Sequence, residues 1–537
     1  MNDETVIVTG ATILAGNQQK SLVGHALVIS GEKIEAIVNS SEGSRRIAAG
    51  ARELAVPGLT ILPGLIDAHG HLDGLGQALD SVDLVDTTSY DQVITRIAQR
   101  ARTKAPGDWI LGRGWDQNDW PSKEFPTAAL LDAEVSDRPV WVTRIDGHAA
   151  LANSAALKAA GISRSTQDPD GGRIIRDAAG TPTGVFVDAA MDLVERAIPA
   201  ASRQDRKRRI AAAAANIAAN GLTAMHDAGT SQETIDLVKE LIDEGNFPIR
   251  VYAMLGDDAK LIESWMQRGP LLDYGGRLTV RSIKLYADGA LGSRGAAMLE
   301  PYSDDPANSG LLLARPEHLL DVSKRAVRNH FQVNAHAIGD RGVRNVIEAF
   351  ENAGVSSADR FRIEHLQVIA LPDIPRLARS GIIASMQPTH ATSDMPWAKD
   401  RVGPQRIRGA YAWRTLLTAG TRLALGSDFP VEAVNPFFGI YSAVTRQDQK
   451  GAPAGGWMPG ERLTVAEAIR GFTSDAAWAA FEEASRGTIE PGKLADLTVV
   501  DRNPFEVPPA ELFRVRPVYT IVGGKIVYDS ASSRSSK

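Results

Sequence analysis

The sequence has 537 residues and contains no cysteine. Disulfide bonds and thiolate metal sites are therefore excluded, and any bound metal ion must be held by nitrogen and oxygen atoms. No run of about 18 apolar residues occurs, so no membrane-spanning helix is expected. The formal net charge of −6 is spread along the chain, without a basic patch or an acidic tail. Neither a nucleic-acid partner nor a membrane partner is therefore expected.

The first ten residues lack a basic start followed by a long apolar run. A secretory signal peptide has both features, so we expect none here. Together with the absence of a membrane span, this leads us to expect a cytoplasmic protein. The length exceeds that of one ordinary domain, and 43% hydrophobic residues are enough for a large core.

Short β segments punctuated by glycine and asparagine occupy both ends of the chain. The first 55 residues contain segments such as 26–30 and 33–37, and the last 45 contain 496–500, 518–522 and 525–528. Neither end is long enough to build a good core alone. We therefore expect residues 1–56 and 477–537 to form one composite β domain, a small β-sandwich.

Between these ends, short apolar strands alternate with amphipathic helical patterns. Eight such strands predict parallel pairing, and a closed (β/α)8 TIM barrel over residues 57–476 is the commonest result. A doubly wound open sheet is the alternative. The first two strands lie about 150 residues apart, which predicts a large insertion at about residues 75–215. The predicted strands are 60–68, 223–227, 250–255, 281–286, 332–335, 362–364, 382–386 and 422–425.

The strongest local signal is the segment 63–71, which reads PGLIDAHGH. His69 and His71 end an apolar strand, and residues two apart on a strand point to the same face. Both imidazoles could therefore reach one metal ion. Two nearby histidines also arise by chance, so this pair alone leaves both interpretations open.

Further metal-ligand residue types stand at the ends of later strands. His336 ends the fifth strand, His365 ends the sixth and Asp428 follows the eighth, while Lys284 lies within the fourth. The carboxyl ends of barrel strands converge on one rim, where active sites form. The joint placement predicts one metal site built from these residues.

Lys284 lies in the apolar strand segment IKLY, where a charged ammonium would cost several kcal/mol of desolvation. Burial lowers the pKa of a lysine, and a neutral amine can add carbon dioxide to give a carbamate that bridges two cations. The alternative is a salt bridge between Lys284 and a carboxylate such as Asp288.

These motifs resemble the amidohydrolase superfamily, and more narrowly amidohydrolase family 3, the branch that includes N-substituted formamide deformylase. The resemblance covers nearly the whole chain, without a departure at any ligand position. It is carried by LPGLIDAHGH at residues 62–71, DGH at Asp146, Gly147 and His148 with Asn153 and Ser154, KLYADGALGSRG at 284–295, AHAIGD at 335–340, IEH at 363–365, GSDFP at 426–430 and GKLADL at 492–497.

The resemblance implies a barrel with a composite β domain and a binuclear metal centre, with zinc as the expected metal. His69, His71 and Asp428 would hold one ion, His336 and His365 the second, and a carboxylated Lys284 would bridge them. A hydroxide shared by the two ions would attack a carbonyl, and Asp428 would act as the general base.

The implied reaction is hydrolysis of an amide-type C–N bond, not a peptide bond, in a small molecule. The tryptophans of the insertion suggest an apolar or aromatic substrate. A deaminase, a hydrolase of esters or cyclic ureides, and a non-catalytic relative are the alternatives. Lys284 favours the binuclear type, because deaminases of the superfamily usually use one metal without a bridging lysine. A homo-oligomer is left open.

Weaker candidates for substrate contact lie outside the ligand set. The family motif implies that His148 faces the substrate, and His226 ends the second strand. Trp115 in the insertion and Arg294 in a glycine-rich loop are the other two, although each could instead anchor its own segment. His390 follows the seventh strand and is a single loop histidine, which is weak evidence.

Overall fold

Eight parallel strands form the barrel in a computed structural model, which describes residues 5–16, 19–145 and 147–534. Neighbouring strands pair in sequence order from the first to the eighth. Two hydrogen bonds join the ends of the sheet, because the Asp428 N–H donates to the His69 carbonyl (2.7 Å) and the His71 N–H to that of Phe429 (2.8 Å). The (β/α)8 barrel is confirmed, and the open sheet is wrong. The strands are Leu65–Gly70, Leu222–Thr230, Arg250–Leu255, Leu278–Tyr286, Gln332–Ala337, Arg362–His365, Ile383–Met386 and Leu423–Leu425.

Helices follow the barrel strands and pack their apolar faces inward, as expected for amphipathic segments. The helix Asp340–Asn352, for example, buries Val343, Val346, Ile347 and Phe350. A short strand, Leu271–Tyr274, pairs antiparallel with the fourth barrel strand. The helices are Gln232–Asp243, Ala259–Arg268, Pro316–Arg328, Asp340–Asn352, Ile374–Arg379, Pro388–Asp394, Ala398–Arg406, Trp413–Thr418, Pro436–Thr445, Val465–Gly471 and Ser474–Ala479.

Strands from both ends of the chain share one sheet, which confirms the composite β domain. Leu497–Val500 pairs antiparallel with Thr60–Pro63, which pairs in turn with Thr12–Ala15. The domain boundaries at residues 56 and 477 stay a prediction. The six-stranded sheet is completed by Lys20–Leu22, Pro517–Val522 and Lys525–Asp529, and a four-stranded sheet contains Thr5–Thr9, His25–Ser30, Lys33–Asn39 and Arg52–Ala55. Helices Ser40–Ala48 and Ser530–Arg534 belong to the same ends of the chain.

The segment 60–68, expected to be one strand, is two strands separated at Gly64. Thr60–Pro63 belongs to the β domain and Leu65–Gly70 to the barrel. The Gly64 N–H donates to the Asp496 carbonyl at 2.8 Å, and a Cβ at Gly64 would lie 2.4 Å from the Thr223 hydroxyl oxygen. Close packing at this glycine therefore ends one sheet and starts the next.

The chain divides into two compact units, residues 1–72 with 213–537, and residues 73–212. The second unit is an insertion after the first barrel strand, as predicted, with its own sheet and hydrophobic core. Its strands are Val82–Asp83, Ile110–Trp115, Val140–Arg144, Ala149–Ala152, Gly172–Arg176 and Pro182–Asp188. Its helices are Tyr90–Ala101, Ala128–Glu134, Ser154–Ala159 and Asp192–Glu195, and the chain passes between the units within Leu72–Asp80 and Arg203–Ala219.

None of the helices in the described part of the chain combines the length and the apolar character that a membrane crossing requires.

Candidate functional site

The two histidines of the first barrel strand present their Nε2 atoms to the same carboxylate. The Nδ1 atom of the fully buried His69 is bonded to Glu364, and that of His71 donates to the Ala228 carbonyl at 2.8 Å. These bonds turn the Nε2 atom of each ring toward Asp428. Asp428 Oδ1 lies 3.6 Å from Nε2 of His69 and 3.0 Å from Nε2 of His71. A carboxylate or carbonyl partner on the far nitrogen is the usual arrangement around a metal-binding histidine.

His336 and His365 complete a cluster of rings at the same rim. The His365 ring centroid lies 4.7 Å from that of His69 and 4.6 Å from that of His336. His365 Nδ1 is bonded to Gln387 Oε1 at 2.8 Å. His336 Nε2 is buried and has no hydrogen-bond partner among the residues that the structure describes. One ligand atom from each of His69, His365 and Asp428 lies within 4.8 Å of the other two, which is a geometry that could hold a metal ion.

The backbone is strained at two of these positions. His365 and Asp428 both have a left-handed conformation, with φ of 73° and 65°. This region is uncommon for residues other than glycine and costs of order 1–3 kcal/mol. Such strain clusters at functional sites, where the surrounding structure holds a side chain in a required direction.

The Lys284 side chain is 1% exposed and lies inside the barrel. Its Nζ is 3.1 Å from His69 Nε2, and it forms no ion pair with a carboxylate among the described residues. Burial lowers the pKa of Lys284 to about 8, against the attraction of Glu364 and Asp428. The alternative salt bridge to Asp288 is wrong, because the Asp288 carboxylate instead accepts three backbone N–H bonds of 2.8–2.9 Å from Ala297, Ile338 and Gly339.

Burial keeps the imidazoles of His69, His336 and His365 neutral, whereas at His71 the hydrogen bond to Asp428 outweighs burial and raises the pKa. Burial, followed by the nearby Lys284, lowers the pKa of His69 to about 4 and that of His336 to about 3. Burial alone would raise the pKa of Asp428, but the His71 hydrogen bond and the surrounding imidazoles hold it well below its usual range. Neutral imidazole and ionised carboxylate are the forms that bind metal.

A buried network beneath the rim orients His69. Arg362 Nε donates to Glu364 Oε1 at 2.7 Å, and its two Nη atoms bond to the Ala68 carbonyl (2.8 Å) and His226 Nδ1 (2.9 Å). Arg362 and Glu364 were missed as functional residues. Residues two apart on a strand point to the same face, so the spacing of Arg362 and Glu364 on the sixth strand could have identified them.

Asp67 was also missed, and it ties the first strand to the loop that carries Asp428. Its carboxylate accepts the backbone N–H of His69 at 3.0 Å and the Ser427 hydroxyl at 2.6 Å. Burial raises its pKa to about 7, against these hydrogen bonds. The signal available in the sequence was its position two residues before His69, the first predicted metal ligand.

A cavity of about 420 Å³ opens beside the cluster. Leu291, Ile338, Trp397 and Val431 give it apolar walls. His390, for which the sequence offers only weak evidence, also lines the cavity, and its Nε2 is 3.6 Å from Asp428 Oδ2. The remaining lining residues are His71, Lys284, Tyr286, Ala290, Gly292, His336, His365, Gln367, Asp394, Asp428 and Glu432.

His226 and Arg294, the two weaker candidates for substrate contact in the barrel, do not line this cavity. His226 is fully buried in the barrel interior against Arg362. Arg294 holds its own loop, because its guanidinium forms two hydrogen bonds of 2.9 and 3.1 Å with Asp304. Neither residue is among those that line the cavity.

The two weaker candidates of the insertion differ from each other in exposure. Trp115 is fully buried in the insertion's own core, and its Nε1–H donates to the Val142 carbonyl at 2.9 Å. The His148 side chain is 75% exposed, with Nδ1 2.9 Å from Asp188 Oδ1. Asp146, part of the motif around His148, lies outside the described residues.

Comparison with known proteins agrees with this geometry. The chain is 36% identical to the YtcJ protein of Bacillus subtilis (strain 168) over 488 residues, covering 89% of this chain and 91% of that protein. It is 29% identical to N-substituted formamide deformylase of Arthrobacter pascens, covering 95% of each. The crystal structure of an uncharacterized metal-dependent hydrolase from Pyrococcus furiosus superposes with a TM-score of 0.77 at 28% identity, covering 94% of this chain and 100% of that one.

A family model described as "Amidohydrolase family" matches residues 56–528. That span runs from the β domain through the barrel and back, and it includes every residue of the histidine cluster. The chain therefore belongs to the amidohydrolase family of metal-dependent hydrolases.

Proposed function

We propose that this protein hydrolyses an amide-type C–N bond, other than a peptide bond, in a small apolar or aromatic molecule. The observation that carries the proposal is the convergence of four imidazoles, one carboxylate and a buried lysine at one barrel rim, beside a cavity with apolar walls. Two divalent metal ions, with zinc the expected metal, would be bound there.

The residues present fit two ions of this kind. Among the described residues, His336 Nε2 is a buried polar atom without a hydrogen-bond partner, and its lone pair could coordinate a bound cation. His69, His71 and Asp428 would hold the first ion, and His336 and His365 the second. Nitrogen and oxygen donors of this mixture suit zinc. When bound, the ions would activate water and polarise the scissile carbonyl.

Lys284 fits the site as a carbamate better than as an ammonium. Its Nζ lies 3.1 Å from His69 Nε2, the atom that would face the first ion. An ammonium there would repel the cation, whereas a carbamate replaces the positive charge by a negative one and supplies two oxygen ligands. The pKa of about 8 leaves a useful fraction of neutral amine near neutral pH, the form that adds carbon dioxide.

Asp428 would move the proton. Its pKa is held well below the usual range, so it is ionised at working pH and can accept a proton. It lines the cavity, where it would take a proton from the attacking water and pass it to the departing amine. The amine then leaves as a neutral molecule, and the acyl group leaves as a carboxylic acid.

The cavity suggests the size and polarity of the substrate. A volume of about 420 Å³ falls within the range of small-molecule sites. Trp397, Leu291 and Val431 would contact an apolar or aromatic substituent. N-substituted formamide deformylase of Arthrobacter pascens, a relative along 95% of its length, acts by its name on N-substituted formamides. We therefore propose N-acyl amines, with N-formyl amines first among them.

The test is a substrate panel with zinc-reconstituted enzyme. Formanilide, acetanilide and N-benzylformamide represent the proposed class, while phenyl acetate, hydantoin, adenosine and alanyl-proline represent esters, cyclic ureides, deaminase substrates and peptides. The proposal expects the highest kcat/KM on an N-acyl or N-formyl amine. It fails if an ester, a ureide, a nucleoside or a peptide is preferred, or if metal-loaded enzyme cleaves no amide of the panel.

A further inference from the structure

Resting on that proposed function, we propose that His390 is a catalytic residue whose Nε2–H donates a hydrogen bond to the carbonyl oxygen of the substrate. His390 stands in the first turn of the helix Pro388–Asp394, after the seventh barrel strand. That position puts it on the same rim as the histidine cluster but outside both proposed ligand sets.

The position of the ring is the first argument. His390 is 8% exposed and lines the cavity, and its ring stacks on that of His365 with centroids 6.0 Å apart. Its Nε2 lies 3.6 Å from Asp428 Oδ2, which is too long for a hydrogen bond. The atom therefore lies next to the proposed proton carrier without being bonded to it.

The second argument is that His390 Nε2 lacks a partner. It is buried and makes no hydrogen bond among the described residues. A buried donor without a partner destabilises a fold, which tolerates it where a ligand supplies the partner. A carbonyl oxygen arriving in the cavity is an acceptor of the required kind.

The third argument is the tautomer. Gln367 Nε2 lies 3.3 Å from His390 Nδ1, and an amide nitrogen can only donate. With the amide in this orientation Nδ1 is the acceptor, and the ring proton lies on Nε2. The backbone places Gln367 for this contact, because the Gln367 carbonyl accepts the Tyr411 N–H at 2.8 Å.

A donor at this place would act on the transition state. As water adds to the carbonyl carbon, the electron pair of the C=O bond moves to oxygen, and a fixed N–H stabilises the negative charge that develops. No proton is transferred in this contact, so the role of His390 complements that of Asp428, which carries the proton. Removing one such donor typically lowers kcat by about 10²–10³-fold.

The first experiment reads the tautomer in metal-free protein without substrate. Nitrogen-15 spectra of histidine-labelled protein, with the His390 signals assigned by their loss in His390→Gln, are expected to show a bare Nδ1 and a protonated Nε2. In Gln367→Leu the Nδ1 signal is expected to shift, because it loses its donor. A protonated Nδ1 in the unaltered protein overturns the proposal, whatever the fate of the proposed amide hydrolysis.

The second experiment is kinetic and uses the best amide of the panel. His390→Leu is expected to lower kcat about 10²–10³-fold with KM within about threefold, while His390→Gln, whose amide can donate, stays within about tenfold of the unaltered enzyme. His318→Gln, at an exposed ion pair with Asp257, is the control and is expected to leave kcat and KM unchanged. Lost metal in His390→Leu, or no rescue by Gln, overturns the proposal. If no amide is cleaved, the proposed function fails, and the tautomer alone decides the donor assignment.

Discussion

Within the described ranges of the chain, three buried polar side chains of the insertion have all their hydrogen bonds, whereas several buried polar atoms at the barrel rim have none. In the insertion, the indole N–H groups of Trp115 and Trp120 donate to the Val142 and Thr87 carbonyls at 2.9 and 3.1 Å. The Asn153 side chain caps a helix through the Ala156 N–H and makes further bonds to backbone groups. Among the atoms named here, every buried polar group is satisfied.

The rim holds several buried polar atoms that make no hydrogen bond. His336 Nε2, Gln367 Oε1 and His390 Nε2 are all of this kind in the described part of the chain. Each unsatisfied group costs about 1–3 kcal/mol, and at the rim a bound ligand could supply the missing partner. The contrast assigns stability to the insertion core and ligand binding to the rim, and substitutions in the two regions should have different consequences.

The largest effect is expected from Lys284→Ala. Losing the proposed carbamate would remove several kcal/mol of transition-state stabilisation, which corresponds to an activity loss of about 10⁴-fold or more. Short carboxylic acids are expected to restore part of the activity by replacing the carbamate. The exposed Lys260→Ala is the control. Activity within tenfold of the unaltered enzyme would show that Lys284 is only a structural residue.

Asp428→Asn is expected to come next. The amide keeps one ligand oxygen but cannot accept a proton, so kcat should fall by about 10²–10⁴-fold. The acidic limb of the pH–rate profile should disappear if Asp428 sets it. Metal content must be measured in the same sample. If the metal stays bound and kcat drops less than tenfold, Asp428 is a ligand and not the base.

Four residues show which parts of the site could be predicted from the sequence and which could not. Lys284 and Asp428 were predictable because the carboxyl ends of parallel strands meet at one rim, whatever the details of the loops. His390 was underrated because it stands in a helix after its strand, where the helix's rotation decides whether a side chain faces the cavity. Trp115 could not be placed, since the packing inside the insertion depends on contacts distant in sequence.

Trp115→Ala tests the other side of the contrast. Removing this fully buried indole is expected to lower the free energy of unfolding by about 3–5 kcal/mol, measured by denaturant titration. The kcat of the folded fraction should stay within about threefold, and Trp115→Phe should be milder in stability. A kcat loss as large as that of Asp428→Asn, in folded and metal-loaded protein, would contradict the separation of stability and activity.

The smallest effect is a pH dependence of the metal-free protein. The pKa values of His69 and His336 are lowered to about 4 and 3, so unfolding below pH 6.5 takes up protons and stability falls from pH 6.5 toward 4. Asp67 and Asp288, both raised to about 7 by burial, oppose this trend. His336→Gln should therefore lower the proton uptake on unfolding by about one between pH 4 and 6. An unchanged uptake would refute the buried neutral state of His336.

The most direct test of the account is the metal content of purified protein, measured by elemental analysis beside activity. The unaltered chain is expected to bind close to two equivalents of zinc or a similar divalent ion, and a strong chelator should remove both the metal and the activity. Lys284→Ala should bind less, and Trp115→Phe should bind as much as the unaltered chain. Full activity in protein that carries no metal would contradict the account.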